Sequence, residues 1–119
     1  MSMEADIVRT YFKAFNAHDL EGVMDCFTAD AVILSSDGQR CEGAAQVRRH
    51  YESIFKMFPD AHCELTRACG SDCTAAAESV FTGTQPNHGH QTRFTGAELL
   101  TIRDDRISEL RDYHSAATE

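Results

Sequence analysis

No run of lysines and arginines interrupts this sequence of 119 residues; its 11 basic residues are scattered among 19 acidic ones, for a formal charge of −8. Phosphate backbones and anionic membrane surfaces both call for concentrated positive charge, so neither nucleic acid nor a membrane is expected as a partner. No stretch approaches the roughly 20 apolar residues of a spanning helix. The opening MSMEADIVRTYF places acids early and has no separate apolar segment, so it does not read as a signal peptide. No CxxC occurs among the five cysteines, Cys26, Cys41, Cys63, Cys69 and Cys73. The expectation is small, buried, reduced thiols in a cytoplasmic protein, with no cysteine-based zinc site. His88 and His90 in NHGH are too few for a metal site, and no His-x-x-x-His occurs on a helical stretch. His18 and His50 read as surface or helix-end residues. No GxGxxG, P-loop, Gly-x-Ser-x-Gly or Cys/His nucleophile pattern is present, so no cofactor and no covalent catalysis are expected. Repeats, linkers and low-complexity tracts are missing too. Residues 1–119 are read as one domain, and a hydrophobic fraction of 42% can build its core.

What is present falls into two halves. The first is helical. In EADIVRTYFKAFNA, residues Ile7, Val8, Tyr11, Phe12 and Phe15 recur at helical spacing. A short second helix follows Asp19, a plausible N-cap, with Leu20, Val23, Met24 and Phe27 on its buried side. After the short strand DAVILSS and the turn-rich DGQRCEG, a third helix runs from about Ala44 to Phe58, with Val47, Tyr51, Ile54, Phe55 and Phe58 inward. Pro59 stops it. The second half is strand. AHCELTRAC and CTAAAESVFTGT form a hairpin about Gly70, Ser71 and Asp72. The polar loop TQPNHGH follows and is expected over a pocket mouth. TRFTGAELLTIR and RISELRDYHS turn about Asp104 and Asp105. Helices followed by a meander of strands predict an α+β fold with helices on one face of a curved antiparallel sheet.

Alternation then singles out polar residues on the inner face. Asp112 and His114 share a face with Leu110, and Glu98 shares one with Leu100 and Ile102. Ala75, Ala77, Ser79 and Phe81 share another, and small residues there suit a cavity. A carboxylate buried without partners is costly, so it is either paired or protonated. Two carboxyl groups among apolar walls make a candidate acid/base site.

YFKAFNAHDLEGVMDCFTADAV, GAAQVRRHYESIFKMFPDAHCEL and FTGAELLTIRDDRISELRDYHS together span nearly the whole chain. They are similar to the opening, the third helix and the last hairpin of the nuclear transport factor 2-like, or cystatin-like, families. The chain most resembles the SnoaL-like polyketide cyclases, and more distantly ketosteroid isomerase and limonene epoxide hydrolase. The resemblance implies a cone-shaped α+β barrel, its six-stranded sheet wrapped around a long helix to enclose a pocket. It also implies a homodimer formed through the outer sheet face, where Thr74, Ala76, Glu78, Val80 and Thr82 are mixed in character. Tyr11 matches the oxyanion-hole tyrosine of ketosteroid isomerase, and Glu98 falls where that family has a protonated aspartate as second donor. The position of its general base holds Ser35, and an unactivated serine is no base at neutral pH, which argues against ketosteroid isomerase chemistry. Asp112 matches the last-strand aspartate of limonene epoxide hydrolase, but the hydrolase's Arg-x-Asp pair falls near Ser79 and Phe81, which argues against epoxide hydrolysis.

The expected catalytic set is therefore Asp112 as base, Tyr11 and Glu98 as donors, and His114 orienting Asp112 or shuttling a proton. The expected pocket lining is Phe15, Phe27, Ser35, Tyr51, Phe55, Ser79, Phe81, Leu100 and Leu110. The expected function is cofactor-free acid/base chemistry of isomerase or cyclase type on a small, apolar, carbonyl-containing molecule. The alternative is a non-catalytic ligand-binding or dimerisation module.

Overall fold

The computed structural model describes residues 2–116. The Ser2 hydroxyl accepts a hydrogen bond from the Ala5 amide at 3.0 Å and starts α1, Met3–Asn16, whose apolar stripe buries Val8, Tyr11, Phe12 and Phe15. Asp19 does the same for α2, Leu20–Asp25, accepting from the Gly22 amide at 3.0 Å. α3, Ala44–Met57, buries Val47 and Tyr51 and ends at Phe58, just before Pro59.

The strands are β1 (Phe27–Ser35), β2 (Arg40–Glu42), β3 (His62–Ser71), β4 (Thr74–Thr84), β5 (Gln91–Arg103) and β6 (Arg106–Ala116). They form one curved sheet in the order β2-β1-β6-β5-β4-β3, which does not close into a barrel. Pairing is antiparallel except between β1 and β6, which run parallel. That is the departure from an all-antiparallel sheet. The hairpin with β5 sets the direction of β6, which then lies beside β1 in the same sense. DGQRCEG, expected as loop, contains β2. Phe27 opens β1 instead of closing α2.

Both hairpins turn on two residues with positive φ: Asp72 and Cys73 (54° and 64°), and Asp104 and Asp105 (54° and 62°). This geometry matches the right-handed twist of the flanking strands. The first turn lies two residues beyond Gly70, which belongs to β3.

Val8, Val23, Ile33, Val47 and Ile107 are fully buried between the helices and the sheet. Burial of such a side chain contributes roughly 1.5–3 kcal/mol. All five cysteines are free. Cys26 and Cys63 are buried and Cys41 is half-buried, but Cys69 and Cys73 are exposed, contrary to the expectation of buried thiols. They sit at the end of the β3–β4 hairpin, where the first turn of α1 meets the backbone, the Cys73 amide donating to Glu4 Oε2 at 3.1 Å, and leaves both thiols uncovered. Among the described residues no helix is long and apolar enough to cross a membrane.

Candidate functional site

The helices and the concave sheet face do not fill the space between them. They leave a cavity of about 210 Å³. A cavity of about 150 Å³ takes up benzene, so this one holds a somewhat larger molecule. Small inner-face residues make the room: Ser35, Ser79 and Gly96 all border it. A Cβ at Gly96 would lie 2.9 Å from the Tyr113 carbonyl oxygen and 3.1 Å from the His114 Cβ. Glycine is what lets β6 approach β5 opposite His114. At the other end the Phe58 ring borders the cavity and covers Gly83, where a Cβ would meet that ring at 2.8 Å.

The NAHD segment holds this frame together. The Asn16 side chain bonds both backbone groups of Cys63, donating to its carbonyl at 2.9 Å and accepting from its amide at 2.7 Å. His18 meets the Ala61 carbonyl at 2.6 Å, and Asp19 caps α2. Asn16 and His18 pin the end of α1 to the start of β3, and none of the three side chains borders the cavity.

Glu98 is the most constrained polar group in the cavity wall. It is 8% exposed, and Oε2 accepts a 2.7 Å hydrogen bond from the Ser79 hydroxyl. Its other oxygen, Oε1, is buried with no partner among the described residues. Burial pushes the Glu98 carboxyl up to about 7; the negative charge of Asp112 adds to this, and the Ser79 hydrogen bond opposes it. Near neutral pH a large fraction is therefore the neutral acid, which donates.

Asp112 lies directly across from Glu98 in the β5–β6 register, and Gly96 lies across from His114. Asp112 Oδ2 and His114 Nδ1 are 3.2 Å apart, with both side chains about 30% exposed. The cavity thus reaches solvent at the end of β6. Phe94 meets the His114 ring edge-on at 5.1 Å. In the depth, the Tyr11 and Tyr51 hydroxyls share one 2.6 Å hydrogen bond. Burial raises the pKa of both phenols, so both keep their protons. One O–H is spent between them, which leaves the second free to donate elsewhere. Cys63 also borders the cavity; burial pushes its thiol up to about 12, too high for a nucleophile at neutral pH.

Of the residues expected at the site, Tyr11, Phe15, Ser35, Tyr51, Ser79, Phe81, Glu98, Leu110, Asp112 and His114 all border this one cavity. Phe27, Phe55 and Leu100 do not. Phe27 lies behind the tyrosine pair, edge-on to Tyr11 at 5.8 Å. Phe55 packs on Phe15 at 5.2 Å and stacks on His18 at 4.6 Å, on the flank of α3. Leu100 is 2% exposed, one inner-face step deeper than Glu98, in register with Leu110. Periodicity gives the face of each residue but not its depth.

His50 is a residue that sequence reasoning missed. It is half-buried and borders the cavity, where burial lowers its pKa while the charges of Asp112 and Asp37 oppose that. Asp37 and Gln39, from the β1–β2 turn, also reach the cavity. Residues 84–90, expected over the mouth, contribute nothing to its lining. Among the described residues no group of three or more His, Cys, Asp or Glu side chains is placed to hold a metal ion.

A family model described as the SnoaL-like domain matches residues 8–110. Among solved structures, an NTF2-like protein of unknown function from Burkholderia pseudomallei K96243 is 17% identical. The match covers 97% of this chain and 92% of that one, with a TM-score of 0.86. A protein with a ketosteroid isomerase-like fold from Catenulispora acidiphila DSM 44928, solved in complex with trimethylamine, is 22% identical, with 92% and 85% covered and a TM-score of 0.85. SalBIII, an epoxide hydrolase/cyclase-like enzyme of pyran ring formation in the polyether salinomycin, is 20% identical, with 92% and 88% covered and a TM-score of 0.83. At these identities the likeness is one of fold. No curated protein matches the chain.

Proposed function

Since the chain belongs to the SnoaL-like domain family, we propose that it is a general acid/base enzyme of isomerase or cyclase type. Its substrate is a small, largely apolar molecule with a carbonyl group. The observation that carries this reading is Glu98 Oε1, a buried oxygen without a protein partner at the wall of a cavity. Leaving such a group unpaired costs roughly 1–3 kcal/mol, and a ligand oxygen placed there removes that cost.

The chemistry follows from the side-by-side positions of Glu98 and Asp112 on neighbouring strands of the inner face. Asp112, held by His114, takes a proton from the carbon next to the carbonyl. The carbonyl oxygen gains negative charge and accepts from the neutral Glu98 acid, with the spare tyrosine O–H as second donor. The carbanion equivalent is then reprotonated elsewhere, an isomerisation, or attacks a second carbonyl, a cyclisation. SalBIII, described as epoxide hydrolase/cyclase-like, supports ring-forming chemistry on this frame.

The test is deuterium uptake. Small cyclic ketones are incubated with the protein in D₂O, and exchange at the α-carbon is followed by NMR together with ligand-induced shifts of the Glu98 and Leu110 amides. Exchange above the buffer rate is expected. Amide shifts without exchange would assign the cavity to ligand binding alone.

The same reading includes a homodimer through the outer sheet face. Leu99 and Tyr113 support it, since they stand on that face of β5 and β6, 47% and 45% exposed. Leu99→Arg is expected to halve the mass measured by light scattering. An unchanged mass would remove this face as the contact.

A further inference from the structure

The cavity carries charge of one sign. Asp37 and Asp112 border it beside Glu98, which is in large part neutral near pH 7, and among the described residues no lysine or arginine does. Four of the nine arginines are engaged elsewhere: Arg48 with Glu21, Arg103 with Asp30, Arg111 with Glu109 and Arg40 with Glu42, all at the surface. His50 adds no standing positive charge at neutral pH, because burial lowers its pKa. The rest of the wall is rich in aromatic rings, among them Phe15, Phe58, Phe81 and Phe94. The negative face of such a ring attracts a cation.

An anionic ligand would confront Asp37 and Asp112 with no lysine or arginine beside them, whereas a cation has a place there: Asp112 Oδ2 meets His114 at 3.2 Å and Asp37 Oδ1 accepts from the Gln39 amide at 3.0 Å, which leaves each carboxylate a second oxygen. We infer that the ligand of this cavity is an amine or ammonium compound. Its cationic head sits among Asp37, Asp112 and the aromatic rings, and its polar oxygen turns to the unpartnered Oε1 of Glu98. This rests on the reading of the cavity as a ligand site and narrows the substrate class. The buried Glu98 oxygen, with no partner among the described residues, is the independent sign of a ligand; Asp37 and Asp112, with no lysine or arginine in the lining, give the ligand its charge.

Three probes of nearly one shape separate the possibilities: choline, its neutral isostere 3,3-dimethylbutan-1-ol, and the anion 3,3-dimethylbutanoate. Each is titrated into the full chain at fixed ionic strength, and amide shifts of Glu98, Phe94 and Leu110 are followed. Choline is expected to bind about tenfold more tightly than the alcohol, with the anion weakest. Asp112→Asn should shrink the choline advantage over the alcohol, and added salt should act in the same direction. If the alcohol shifts the cavity amides at least as strongly as choline, the cationic assignment falls and the cavity reading stands. If no probe shifts them, or choline shifts only surface amides, both fall.

Discussion

Glu98→Gln is expected to make the protein more stable at pH 8 by about 3 kcal/mol, and to change its stability little at pH 4.5. The native carboxyl titrates near 7 instead of 4.5, chiefly because it is buried. Each pH unit between those values is worth about 1.4 kcal/mol. Because its folded-state pKa is raised, native Glu98 holds a proton that the unfolded chain releases. Its favourable contribution is full below pH 4.5 and is lost as pH rises through 7. Glutamine has no charge to bury and still accepts from the Ser79 hydroxyl, which now donates to Glu98 at 2.7 Å. The gap between variant and parent should therefore open between pH 4.5 and 7 and then level off. At pH 8 it corresponds to a rise in Tm on the order of 10 °C. Urea unfolding at the two pH values checks this. A gap independent of pH would mean that Glu98 titrates in the folded protein as it does in the unfolded chain, and the neutral-donor role would go with it. A group that costs the fold this much, at a cavity wall where glutamine would cost less, is best explained by work that needs a titrating proton.

The inner face of the last hairpin was legible because strand alternation is strict. Leu110, Asp112 and His114 had to share a side, and Glu98 had to share one with Leu100. What alternation does not encode is depth. Leu100 and Glu98 are two residues apart on one face, yet one is core and the other is cavity wall. Leu100 lies between Ala75 and Leu110 in the register and Glu98 between Ala77 and Asp112, neighbours that the sequence of β5 alone does not name. Phe55 failed for a related reason: a helix carries side chains around its whole circumference, and Phe55 lies on the flank that meets His18. His50 precedes the buried Tyr51 and borders the cavity from the edge of the stripe, where periodicity is ambiguous. Asp37 and Gln39 come from a turn, which has no period to read. The parallel β1–β6 pair was equally out of reach, because alternation is blind to the direction of a partner distant in sequence. Glu98 Oε1 is a different case, since a missing partner exists only once the neighbours are placed.

Asp112→Asn is expected to lower turnover of the substrate by 10²–10⁴-fold, on the order of what a positioned general base contributes. Ligand affinity for a neutral substrate should stay nearly unchanged, because asparagine fills the same volume and still offers an oxygen to His114. The side chain is about 30% exposed, so folding should change by no more than about 0.5 kcal/mol. His114→Gln, which removes the ring that meets Asp112 at 3.2 Å, should have a smaller effect and act on kcat more than on KM. A second readout needs no substrate. The negative charge of Asp112 is one of the causes that raise Glu98, so in Asp112→Asn the Glu98 carboxyl should titrate at lower pH, as seen by carbon NMR. Both changes together place Asp112 as base and Glu98 as its coupled donor within one site. A shifted Glu98 titration with undiminished turnover would keep the electrostatic pair and take the base role away from Asp112. His50 would then be the group to test next, since it borders the same cavity and burial favours its neutral, proton-accepting form.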